Sequence, residues 1–404
     1  MGKNKGRFRR PVSGLAAALA LALALALPSS IPAAEKPADM EEDTWTRLQD
    51  NVLEYEELED RVQSFNPTLQ QIVKSINDSY DDIHDNIVDY QEASNDFQWL
   101  YEQAVEEGDY MSAAMYQINR KITMNMSSRY LQAEKRKDTA IERNTRQYRK
   151  MFTSGCQQLM LAYNKMAVNQ ATLEKQVELY GALASMSGTQ NAIGMNVTVD
   201  VLSAQTQLYS AQNSLTALKD QMASVKSSLL LMTGWDYNSD VTIGAVPRTD
   251  VSELDAIDLE ADKSIAPGYN YTVLSIKNAA PNDMDGDGKY ENKDYKARER
   301  GVDQARQQLN ITLDDLYLTL YEKKAALQAS QTAFQAAQLK WDSANRKYQM
   351  GMLGRAEYLG EEIAYYASKG AYESADLDLT QAMLNYYWGV HGLGELAQLA
   401  EEAG

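Results

Sequence analysis

Residues 201–230, VLSAQTQLYSAQNSLTALKDQMASVKSSLL, and residues 358–387, YLGEEIAYYASKGAYESADLDLTQAMLNYY, decide how the whole chain is read. The first stretch places Val201, Leu208, Leu215, Met222 and Leu229 seven residues apart. The second does the same with Tyr358, Tyr365, Tyr372, Leu379 and Tyr386. The two sets are offset by 358 − 201 = 157 residues, and the same offset carries Gly194 to Gly351, Asp200 to Glu357 and Leu202 to Leu359. A constant offset sustained over that length is a tandem duplication.

A second heptad stripe precedes each of those glycines. In the second copy it is Leu313, Leu320, Leu327, Phe334, Trp341 and Tyr348; in the first it is Phe152, Leu159, Met166, Leu173 and Tyr180. A seven-residue period held over many turns keeps one apolar seam facing a partner helix, which specifies a coiled coil; a plain amphipathic bundle of period 3.6 is the alternative. Between the paired stripes lie Ser187-Gly188-Thr189-Gln190-Asn191-Ala192-Ile193-Gly194 and Met350-Gly351-Met352-Leu353-Gly354. Glycine-rich breaks between helical seams are hairpin tips. The expected fold class is therefore all-α, a tandem repeat of long antiparallel coiled-coil hairpins with little or no β. At 1.5 Å per residue an arm of about 55 residues spans roughly 80 Å.

Composition narrows the function classes. Lys3, Lys5, Arg7, Arg9 and Arg10, followed by the Leu/Ala run of residues 15–27 and small residues at Ala33 and Ala34, predict a secretory signal peptide; a retained anchor is the alternative. Cutting near Ala34 takes the formal charge from −18 to −18 − 5 = −23. Such a chain repels nucleic acid and favours cations or basic partners. The single cysteine, Cys156, excludes an intrachain disulfide and reads as a buried core thiol. His84 and His391 are the only histidines, and neither belongs to a catalytic or zinc-type spacing. Paired carboxylates such as Asp81-Asp82 and Glu361-Glu362 sit on solvated helical faces, so no enzyme is expected.

The order of these features resembles the TolC-like outer-membrane efflux proteins, in which two repeats each open near Asn-Pro-x-Leu, run through a long helix to a glycine tip and return. Here Asn66-Pro67-Thr68-Leu69 opens the first repeat and residues 230–234 close it; Asn270-Tyr271-Thr272-Val273-Leu274 opens the second, which closes around residues 387–392. The implied organisation is a signal peptide at 1–34, an N-terminal segment at 35–65, a first hairpin repeat at 66–234, a connector at 235–269, a second repeat at 270–392 and a tail at 393–404. The resemblance implies a homotrimer whose twelve hairpin helices form a hollow duct in the cell envelope. It further implies a periplasmic adaptor and an inner-membrane pump as partners, with small molecules or proteins as cargo. The adaptor would dock on the tips, at Gly194, Thr198 and Asp200 and at Gly351, Arg355 and Glu357, although Thr198 and Arg355 also suit plain helix capping. A non-conducting structural or interaction protein of the envelope is the alternative.

Two stretches depart from that family, whose outer-membrane members insert a β-hairpin into each repeat. The first repeat runs 194 − 66 = 128 residues from opening to tip and the second 351 − 270 = 81, a difference of 128 − 81 = 47. The extra length, residues 79–137, lacks the alternating apolar pattern of membrane strands and reads as a helical extension turning at Gly108; a small β-hairpin over residues 110–130 is the alternative. In the second repeat the same point carries Asp283-Met284-Asp285-Gly286-Asp287-Gly288-Lys289-Tyr290-Glu291-Asn292-Lys293-Asp294. Oxygen donors at positions 1, 3, 5 and 12 with glycine at 6 match an EF-hand-type loop. The expected Ca2+ ligands are Asp283, Asp285, Asp287, the Lys289 carbonyl, Glu291 directly or through water, and Asp294; an acidic solvated turn is the alternative. Such a calcium would be structural.

Overall fold

The computed structural model describes residues 40–107, 109–134, 137–192, 198–248, 250–278 and 292–393. The signal peptide expected at the N-terminus, and residues 393–404 apart from Leu393, lie outside them. A short helix α1 (Glu42–Arg47) leads to β1 (Val52–Leu53) and α2 (Leu58–Phe65). The first repeat follows as α3 (Pro67–Glu106), α4 (Tyr110–Glu134), α5 (Lys137–Ala192) and α6 (Thr198–Met232). The connector supplies β2 (Thr242–Ile243), α7 (Val251–Asp255) and α8 (Leu259–Ile265), and the second repeat supplies α9 (Tyr271–Asn278), α10 (Asn292–Gln349) and α11 (Arg355–Trp388). The expected all-α class holds. Among the described residues the β content is one parallel pair, Val52 with Thr242 and Leu53 with Ile243, which ties the N-terminal segment to the connector.

The described residues between 79 and 137 form a helical extension, α4 lying along α3; Gly108, where the sequence places the turn, lies outside the described residues. The Tyr90 and Tyr130 rings stack at 5.6 Å, and His84 meets Glu134 at 2.8 Å. The β-hairpin alternative for residues 110–130 is overturned, because Met, Ser, Gln and Asn here follow helical rather than alternating spacing, and the backbone satisfies its own hydrogen bonds within α4.

The two tip-bearing hairpins, α5/α6 and α10/α11, lie side by side in a four-helix layer ordered α6–α5–α11–α10. The middle contact is antiparallel and has a defined register. Gln157 accepts from Trp388 Nε1 at 2.8 Å, Lys165 pairs with Asp378, and the Lys175 ammonium lies 5.3 Å over the Tyr366 ring. At Gly370 the helices come close: a methyl group there would meet Thr172 Oγ1 at 2.3 Å and its Cβ at 3.3 Å. Residue numbers across this contact add to between 541 and 545.

At the base, each repeat closes on its own beginning. Asn66 caps α3, accepting from Leu69 N at 2.7 Å, and reaches back to donate to the Met232 carbonyl at 2.6 Å. Asn270 likewise accepts from Val273 N at 3.0 Å. Beside each asparagine sits a glycine with positive φ, Gly234 at 80° against Phe65 and Gly392 at 108° against Tyr269. The two glycines are 392 − 234 = 158 residues apart, one more than the repeat offset, and a π-type turn over Gly389–Leu393 takes up the extra residue. Arg61 stiffens the first closure. Its buried guanidinium lies 3.8 Å from the Trp235 ring centroid and 4.9 Å from that of Phe65, while it donates to the Thr233 and Leu48 carbonyls. Burial draws its pKa down to about 10.

The base accordingly holds two apolar cores, one per repeat. Leu53, Leu58, Met160, Leu161, Leu229 and Val241 anchor the first. Leu254, Val273, Leu313, Leu320, Leu379 and Tyr386 anchor the second. Cys156 lies in the first core with its thiol pushed up to about 12 by burial, so it is a packing residue.

Candidate functional site

The second tip is fully described. Helix α10 ends with Met352 N bonding the Lys347 carbonyl at 2.8 Å and Gly351 N bonding Tyr348 O at 3.0 Å, around Gly351 at φ 69°. This is a Schellman closure, in which only glycine takes the left-handed position without strain. Gly354 then precedes α11, whose first turn carries Arg355 and Glu357, both exposed. Arg355 is the first residue of the helix rather than its cap. Its guanidinium lies 5.6 Å from the Tyr348 ring and 5.5 Å from the Tyr358 ring, which stack on each other at 4.3 Å. Cation–π contact with two stacked rings braces the turn from outside. Glu357 adds a negative charge in the first turn, where the helix dipole favours it.

Below the turn the aromatic contacts continue: Tyr358 on Trp341 at 4.7 Å, Trp341 on Tyr365 at 6.2 Å, Tyr365 on Phe334 at 5.7 Å and Phe334 on Tyr372 at 5.7 Å. Offset and tilted ring pairs of this kind contribute about 0.5–1.5 kcal/mol each beyond their buried area. The arm that carries the tip is thereby stiffened. Burial, then Glu362, raises the Tyr358 phenol above its usual range. Met350 and Met352, flanking Gly351, are strongly exposed. Sequence reasoning passed over them, although Met-Gly-Met in a tip joins flexible apolar side chains to a fixed turn, a combination suited to contact with another protein.

The first tip is described only in part. Gly194 lies outside the described residues, and Thr198 and Asp200 occupy the first turn of α6. Of the six expected calcium ligands, Asp283, Asp285, Asp287, Lys289 and Glu291 also lie outside them. Asp294 falls in the first turn of α10. Among the described residues no group of three or more His, Cys, Asp or Glu is placed to hold a metal ion. His84 is exposed and meets the Glu134 carboxylate, while His391 stacks on Tyr387 at 4.1 Å. No helix among the described residues is long and apolar enough to cross a membrane.

The edges of the four-helix layer form a second surface. On α10, Ile311, Leu318 and Leu339 fall on one heptad line and are exposed; on α6, Leu202 and Tyr209 do the same. Three of their counterparts one repeat away, Ser154, Leu161 and Leu359, are buried, while Tyr366 is half-buried and Ala182 exposed. Leu318 is 66 % exposed while Leu161, 157 residues earlier, is 0 %, and Leu202 is 64 % exposed while Leu359, 157 residues later, is 1 %. Within the chain α5 packs against α11, and the equivalent faces of α10 and α6 carry these exposed residues.

No family model and no curated protein matches the sequence. Among solved structures, the fold is similar to the outer membrane protein VceC from Vibrio cholerae, at 13 % identity over 68 % of this chain and 76 % of that one, TM-score 0.45. It is similar to the Campylobacter jejuni CmeC outer membrane channel, at 12 % identity over 65 % and 68 %, TM-score 0.44. It is also similar to a membrane protein from Pseudomonas aeruginosa, at 13 % identity over 90 % and 96 %, TM-score 0.47.

Proposed function

We propose that this chain is a divergent TolC-like conduit component that assembles as a ring of three copies around a helical duct and exports small molecules or proteins. The observation that carries the reading is the pair of open edges. If α10 of one copy meets α6 of the next as α5 meets α11 within the chain, Leu339 falls opposite Leu202, Thr332 opposite Tyr209 and Leu318 opposite Ala223. Each of these pairs adds to 541, within the register range of the buried contact. Such a head-to-tail contact is heterologous and is satisfied everywhere only when the ring closes. Four helices per copy and three copies give the twelve-helix wall. Light scattering coupled to size exclusion of the mature chain should give three times the chain mass; a stable monomer ends the proposal.

The tips, with Arg355 and Glu357 on one and Thr198 and Asp200 on the other, serve as the docking points for an adaptor linked to an inner-membrane pump. Exposed Met350 and Met352 supply apolar contact there. The protein acts by shape and charge, without catalysis, in the envelope. The helical extension α3–α4, standing where outer-membrane relatives carry strands, favours a second reading: a non-conducting spacer or interaction protein of the envelope. Ion conductance in planar bilayers separates the two, since a spacer adds none.

Calcium belongs to the same proposal, with Asp283, Asp285, Asp287, Lys289, Glu291 and Asp294 as its ligands at the corner between α9 and α10. Added calcium at about 1 mM, ten times a Kd near 0.1 mM, should stabilise by roughly 1.4 kcal/mol, read as a rise in Tm. Asp283→Ala with Asp285→Ala should abolish the rise. An equal rise in parent and variant assigns the effect elsewhere.

A further inference from the structure

Helix α4 is built with its apolar side chains on the wrong side for the contact it makes. Along α3 it buries Ala113, Thr123 and Ser127, which are small or polar. Met115, Ile118 and Ile122, at spacings of three and four, share a face outside that contact, and each is more than half exposed. A helix that had only to pair with α3 would bury its isoleucines there, because large apolar side chains gain most on leaving water. Scattered single exposures are ordinary, but three large apolar residues gathered over about 10 Å of one helix mark a contact surface.

Charge decides what meets that surface. Helix α3 carries one lysine and nine acids, 1 − 9 = −8, whereas α4 carries Arg120, Lys121, Arg129 and Glu134, 3 − 1 = +2. Residues 110–133 contain no acid, in a chain that has 57 acids among its 404 residues. Glu134, the one acid of α4, stands at its far end on His84 at 2.8 Å. Lys121 is exposed, three residues after Ile118 and beside Ile122, so a cation borders the apolar face. Two copies of such a face would set like charges together, which disfavours self-association; an anionic surface with an apolar layer beneath it complements both features. The acidity of the rest of the chain does not oppose this. Packed helices stand about 8–10 Å apart, and the screening length at physiological salt is about 8 Å, so a surface lying on α4 is largely shielded from the acids of α3 behind it. Helix α4 is not apolar enough to cross a bilayer, and the contact is therefore lateral.

We propose that the outer face of α4 is a docking site for an anionic lipid surface: Met115, Ile118 and Ile122 enter the boundary between headgroups and acyl chains while Lys121 meets the headgroup phosphates. The site lies on the extension, apart from the α6 and α10 edges, and does not rest on assembly as a ring.

The test mixes the mature chain with vesicles of phosphatidylglycerol and phosphatidylcholine, or of phosphatidylcholine alone, and floats them through a density gradient. The chain should rise with the anionic vesicles and partition about tenfold more weakly onto the neutral ones. Binding should also fall in 1 M salt, where the screening length drops to about 3 Å. Ile118→Glu with Ile122→Glu should weaken partition by about tenfold or more while leaving helical circular dichroism and melting temperature unchanged, since both side chains are exposed. Lys121→Gln, a milder change that keeps the test valid if the glutamate pair misfolds, should weaken it about fivefold on anionic vesicles only. Leu318→Glu, placed on the α10 edge, should still float, so a failed ring and a failed lipid site are told apart. A parent chain that does not float, equal partition onto both kinds of vesicle, or a folded glutamate pair that floats like the parent overturns the proposal.

Discussion

Gly234→Ala and Gly392→Ala should each unfold the protein at far lower temperature than Gly351→Ala, although all three glycines share the same left-handed backbone. At Gly351 a methyl group meets nothing within 4 Å, so the cost is the conformation alone, about 1–2 kcal/mol. At Gly234 the same methyl group would lie 2.4 Å from Phe65 Cβ and 2.5 Å from Phe65 O; at Gly392 it would lie 2.3 Å from the Tyr269 carbonyl oxygen. These are backbone or backbone-proximal atoms, and no rotamer change relieves them. Forcing the base apart also pulls Asn66 from the Met232 carbonyl and Arg61 from Thr233. Adding an overpacking penalty of about 1–3 kcal/mol and a lost buried hydrogen bond brings the total to about 4 kcal/mol or more. Circular dichroism melts should show a drop on the order of 10 °C or more at the two base positions and a few degrees at the tip. Equal shifts at all three would mean that the asparagine–glycine clamps do not hold the repeats closed.

How much of this was legible beforehand follows from the range of each interaction. The seven-residue stripes, the 157-residue offset, the second glycine tip and the helical extension are local patterns, written in residues close in sequence, and the fold follows them; at the first tip the break expected from Ser187 is instead helical through Ala192, and Gly194 lies outside the described residues. The order α6–α5–α11–α10 is not local. Nothing in the run Glu59-Asp60-Arg61-Val62 announces that Arg61 lies buried between Phe65 and Trp235, since that depends on a partner 174 residues on (235 − 61). The pairing of Val52 and Leu53 with Thr242 and Ile243 was hidden for the same reason, each strand being too short to show alternation. At the tip, sequence placed Arg355 and Glu357 correctly on a turn, but the bracing of Arg355 by Tyr348 and Tyr358 needs the register of the hairpin. The aromatic stripes were visible as heptads; which ring meets which was not. Sequence also gave no reason to distinguish Leu318 from Leu161, because a duplicated pattern looks alike in both copies. What separates them is that Leu161 is enclosed by the first core while Leu318 faces outward.

That distinction yields the second large effect. Leu161→Glu and Leu318→Glu make the same chemical change at equivalent places in the repeat and should fail in opposite ways. Leu161 is fully buried in the first core, in the same apolar cluster as Cys156, Met160 and Leu229. The substitution removes about 1.5–3 kcal/mol of apolar burial and adds the cost of an unpaired buried carboxylate, several kcal/mol more, so the chain should not fold. Leu318 faces outward on α10, and a carboxylate there stays in water in the isolated chain. Leu318→Glu should therefore retain the helical circular dichroism and melting temperature of a folded monomer while losing assembly. In a three-copy ring the charge falls opposite Ala223 at every contact, so three contacts are lost together and light scattering should shift from three chain masses to one. A second substitution, Leu202→Glu, acts on the other face of the same contact and should add nothing once the ring is open. If Leu318→Glu remained trimeric, the copies would have to meet through some surface other than these edges, and the extension α3–α4, which exposes Met115, Ile118 and Ile122 along one face, would be the next place to substitute.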